Sequence, residues 1–168
     1  MSLLAMVNTN GLLSRAVEWW TALYSNHAML RTMVAFAHVG GLVGGGGCAI
    51  AADRATLRLT SQEPALWDAQ FAAIRRAHRV VVLGLVFIFL SGLLLAAADL
   101  PTYLESGVFW TKMALVAALL VNGAVVVRAE GQAAVGAGGL RRLHLASAIS
   151  VTLWFLTTLL GTALPNVG

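Results

Sequence analysis

The sequence predicts an all-α integral membrane protein, a four-transmembrane-helix antiparallel bundle preceded by an N-terminal interfacial amphipathic helix. Three observations lead there. The 168 residues are 59% hydrophobic and 11% charged, whereas soluble domains carry about 25% charged residues. Four apolar runs each reach the ~20 residues that a helix needs to cross a bilayer. The basic residues gather at the ends of these runs, with no continuous polar face between them.

The N-terminal part, residues 1–28, is read as a tail and an interfacial helix. Leu13, Ala16, Val17, Trp20, Leu23 and Tyr24 follow the rhythm of one helical face. Arg15, Glu18 and Ser25 make the stretch too polar to span, and Trp19 and Trp20 suit the headgroup layer. A short apolar stretch with no basic residues before it argues against a cleaved signal peptide.

Residues 29–168 form the predicted transmembrane domain. The first span, residues 29–52, holds His38 and six glycines: Gly40, Gly41, Gly44, Gly45, Gly46 and Gly47. Their GxxxG spacing permits close backbone approach. The glycines serve either helix packing or clearance for a planar ligand beside His38. A polar connection with Glu63 and Pro64 follows, and the second span covers residues 77–98, ended by Asp99 and Pro101. The third span, residues 108–127, has Lys112 near its start and Asn122, expected to bond a neighbouring helix, near its end. Residues 128–139 read as a glycine- and alanine-rich loop. The fourth span, residues 143–164, is expected to stop at Pro165.

Loop charges set the orientation. Arg54, Arg58, Arg75, Arg76, Arg79, Arg128, Arg141 and Arg142 flank two connections on one side, whereas the connection after the second span has Asp99 and Glu105 and no basic residue. The positive-inside rule then puts the arginine-rich connections in the cytoplasm and both termini on the outer side. Asp53 and Asp99 read as helix-boundary residues. The net charge of +4 lies beside apolar runs, so nucleic acid is not an expected partner. Lone Cys48 excludes an internal disulfide and reads as buried.

The residues that can carry chemistry form two constellations. One is a tetrad that occurs twice, Arg75-Arg76-Ala77-His78 and Arg141-Arg142-Leu143-His144, each at the start of a span. Two imidazoles at one depth can ligate a haem from opposite faces, with Arg75 and Arg141 holding its propionates. The plainer reading is that these arginines anchor two cytoplasmic helix ends. The other constellation is His38, ~12 Å into its helix at 1.5 Å per residue, with Lys112, the only lysine. An intramembrane histidine points to a ligand, a proton carrier or a hydrogen-bonded core residue, while Lys112 can also snorkel. Met29, Met33 and Met113 offer only weak grounds for copper handling.

The stretch around His38, "FAHVGGL", and the later "FWTKMALVAALLVNG" around Lys112 resemble small bacterial membrane proteins of the CopD-like and HemJ-type group. The resemblance implies a bacterial inner-membrane protein, so that the outer side of both termini is the periplasm, with b-type haem and a dependence on His38 and Lys112. It departs from the HemJ pattern in having glycines after the histidine. The expected function is a haem b membrane protein with a redox, electron-transfer role toward the quinone pool or a redox partner protein, assembled as a homodimer through the glycine-rich helix. The alternatives are a HemJ-like protoporphyrinogen oxidase, which makes the chain an oxidoreductase, and a non-catalytic or copper-handling membrane subunit.

Overall fold

The computed structural model describes residues 3–59, 65–133 and 137–167, with side chains described over 11–59, 67–133 and 139–164. All of its regular structure is helical: α1 (Leu3–Asn26), α2 (Ala28–Gly41), a π-helical turn (Leu42–Gly46), α3 (Gly47–Thr56), α4 (Ala65–Ala98), α5 (Leu100–Glu105), α6 (Gly107–Ala133) and α7 (Ala137–Val167). Four stretches are long and apolar enough to cross a membrane: Ala28–Thr56, Trp67–Ala98, Gly107–Ala133 and Gly139–Leu164. Their outer faces carry large apolar side chains, with Phe36 76% and Phe89 68% exposed. Such a continuous apolar exterior suits lipid and not water.

The helices overrun the predicted spans at the arginine-rich end. Residues 128–139 are no simple loop, because α6 runs to Ala133 and α7 starts at Ala137, with 134–136 outside the described residues. Alanine favours helix, and Ala129, Ala133, Leu140 and Leu143 are buried together with Leu59, Phe71 and Ile74. That burial offsets the glycine content. Glu63 and Pro64 lie outside the described residues. The last helix does not stop at Pro165 but continues to Val167, since a proline near a helix end removes a single hydrogen bond.

The first span, built from α2, the π turn and α3, is central. It packs against α4 on one side and α7 on the other, and α6 packs against α7. The glycine run explains this position. A Cβ on Gly41 would meet the Gly84 carbonyl oxygen of α4 at 2.9 Å, and one on Gly46 would meet the Trp154 ring of α7 at 3.0 Å. Consecutive helical residues point about 100° apart, so Gly45 and Gly46 meet different helices and one glycine series serves two neighbours. Gly41 and Gly45 therefore serve helix packing within the chain.

Polar contacts fasten the rest. The Asn122 side-chain amide donates to Ala146 O at 2.9 Å, joining α6 to α7 as expected. Arg75 and Glu130 form an ion pair at 3.0 Å, placing the start of α4 beside the end of α6. The Trp20 indole donates to Leu94 O at 2.8 Å and docks α1 on the far end of α4. Val17, Trp20, Leu23 and Tyr24 are half-buried there, whereas Leu13 and Ala16 of the same predicted face are exposed.

Candidate functional site

His38 lies on α2 with its ring turned to α4. Its Nδ1 is 3.1 Å from Ile88 O and 3.0 Å from Ser91 Oγ. A carbonyl oxygen can only accept, and Ser91 Oγ spends its own hydrogen on Phe87 O. The hydrogen therefore sits on His38 Nδ1, and the lone pair is on Nε2. Gly92 makes the seat: a Cβ there would lie 3.2 Å from His38 Cε1.

Lys112 of α6 is half-buried. A Cβ on Gly161 would lie 3.2 Å from its Nζ, so a glycine of α7 accommodates the ammonium. The charge of Lys112 acts on His38, and among the described residues Lys112 forms no ion pair. His38 on α2 and Lys112 on α6 are thus within electrostatic range of each other. A basic imidazole nitrogen and an uncompensated cation in a low-dielectric interior can together hold a metal centre and an acidic group.

A second feature lies nearer the arginine-rich end. Along most of their length α4 and α6 stand apart, and α3 and α7 floor the gap between them. The resulting cleft encloses about 510 Å³. Its walls are mainly alanine, valine and leucine, and its polar lining comes from Asp53, His78, Arg128 and Ser150. Asp53 is buried at 6% exposure, with the Ser150 hydroxyl near its carboxyl. Ser147 Oγ stands near enough to interact with the carboxyl but closes no hydrogen bond.

The remaining predicted site residues lie on α4 and α7. His78 lines the cleft. His144, on α7, has a buried Nε2 with no hydrogen-bond partner. Arg75 is engaged with Glu130, and Arg141 is exposed. Among the described residues no group of three or more His, Cys, Asp or Glu side chains converges as a metal site.

Sequence reasoning missed Asp53, which read as a helix boundary but sits inside α3 (Gly47–Thr56) with its side chain in the interior. A signal was present in Ser147, Ser150 and Trp154, which share one face of α7. Comparison of the chain with known protein families, with curated proteins and with solved structures found no match.

Proposed function

We propose that this chain is a multi-pass protein of the bacterial inner membrane that binds haem b and serves a redox, electron-transfer role. The observation that carries the reading is the orientation of His38. Its Nδ1–H is anchored on Ile88 O and Ser91 Oγ, which leaves Nε2 free to ligate. Histidines that bind metals commonly donate their other ring N–H to a carbonyl or carboxylate in this way. Lys112 supplies the nearby positive charge that a propionate requires. The residues therefore fit the group, with His38 as iron ligand and Lys112 as carboxylate partner. When bound, haem supplies one-electron transfer, and the protein's part is ligation, orientation and charge.

The segregation of arginines supports both termini being periplasmic and the arginine-rich end cytoplasmic. For a homodimer, Gly40 and Gly44 remain open, since Gly41 and Gly45 meet α4. A second reading, oxidation of a porphyrinogen at the same pair, draws on the same neighbourhood of Lys112 and His38. The test is the oxidised and reduced absorption spectrum of the purified protein, with a Soret band and sharp reduced α and β bands expected. A protein purified colourless after expression with adequate haem supply contradicts the proposal. Turnover of protoporphyrinogen separates the second reading from the first.

A further inference from the structure

The cleft between α4 and α6 has a chemistry distinct from that of the His38 pair. Val82, Leu120 and Val127 line it and are exposed on a lipid-facing surface. An occupant entering there comes from the bilayer and must be apolar over most of its length. At the polar end Asp53 is buried, forms no ion pair among the described residues, and has the Ser150 hydroxyl nearby. A carboxylate offers about four acceptor positions, so the serines leave some unfilled. Burying such a group without partners is costly. His78 adds a ring that can donate or accept, and Trp154 adds an aromatic lining.

An acyl chain makes no use of these groups. Phosphate heads and porphyrin propionates, both anionic, meet an acidic group in Asp53, although Arg128 lies at the rim. A neutral ring with hydroxyls at its edge, able to donate to the unfilled carboxylate positions, and an isoprenoid tail satisfies both halves of the cleft. We propose that this cleft is a binding site for a lipid-soluble quinol, whose ring hydroxyls donate to the Asp53 carboxylate at one edge, with Ser150 and His78 as further partners of the ring oxygens. Its geometry stands apart from the haem site, and it rests on the redox reading only for its purpose.

The experiment uses the full-length protein in quinone-free phosphatidylcholine nanodiscs under reducing conditions, labelled with a photoreactive azidoquinol and competed with decylubiquinol. Labelling is expected on α4 and α6 at the cleft. Gly123 lines the cleft and a Cβ there meets nothing within 4 Å, so Gly123→Leu fills the space without a clash and should abolish labelling. Gly131, equally open but outside the cleft lining, serves as control, and Gly131→Leu should label normally. Asp53→Asn removes a charge-assisted acceptor and should weaken competition by about tenfold or more. His38→Ala should label like wild type even when its haem is lost, which separates this site from the haem reading. Wild-type labelling in both Gly123→Leu and Asp53→Asn overturns the proposal. So does equal competition by oleate, which marks the cleft as an acyl-chain groove.

Discussion

Gly84 of α4 and Gly45 of the first span are in backbone contact: a Cβ on Gly84 would lie 2.5 Å from Gly45 Cα. No side chain fits that space, because the obstacle is main chain. His38 reaches Ile88 O and Ser91 Oγ from the same helix pair, so the glycine contact also fixes the histidine.

Gly84→Leu should therefore destabilise the fold by at least the ~3 kcal/mol at the upper end of overpacking costs. Gly44→Leu, whose Cβ meets nothing within 4 Å, should leave monomer stability unchanged. Thermal unfolding in detergent checks both, and equal melting temperatures contradict the packing account.

Asn122→Ala removes a buried donor to Ala146 O. Interhelical hydrogen bonds in membranes average about 0.6 kcal/mol and reach about 1.7, and the substitution should cost an amount in that range. A denaturant titration of the purified variant gives the value.

Much of this was legible in the sequence. Span number and rough placement follow from hydropathy, and Asn122 and His38 stand out because a polar group in an apolar run needs a partner. What did not show was anything depending on which neighbour a face meets. Asp53 beside Arg54 reads as a boundary unless α7 is known to bring Ser150 against it. The helices beyond Arg128 exist because Ala129, Ala133 and Leu140 are buried by residues distant in sequence. The division of the glycines between α4 and Trp154 depends on which helix packs on each face, which the glycine spacing alone does not give.

Tyr103, in α5 beyond the second span, supplies a pH prediction. Burial first, then the charges of Asp99 and Tyr24, push its phenol above the ordinary range. The folded state holds this proton more tightly than the unfolded chain does. Stability from this group is thus complete below the unfolded value of about 10 and falls as pH rises past it. The chain has two tyrosines, so a tyrosinate absorbance titration of Tyr24→Phe isolates Tyr103. Ionisation later than that of a free tyrosine is expected, and ionisation at or below the free value contradicts the account.

Topology has its own test. A reporter active only in the cytoplasm, fused at Gly138 or at Glu105, should give signal at Gly138 alone. Signal at Glu105 alone inverts the proposed orientation.

The central claim is that His38 ligates haem, and the most direct measurement is the reduced-minus-oxidised spectrum of single variants. His38→Ala should lose haem or shift its spectrum, because the anchored imidazole supplies the iron bond. His78→Ala and His144→Ala should keep the wild-type bands, and Lys112→Ala should retain haem with weaker binding. If His38→Ala keeps the wild-type spectrum while His78→Ala or His144→Ala abolishes it, the iron is held at the arginine-rich end and the assignment to His38 is wrong.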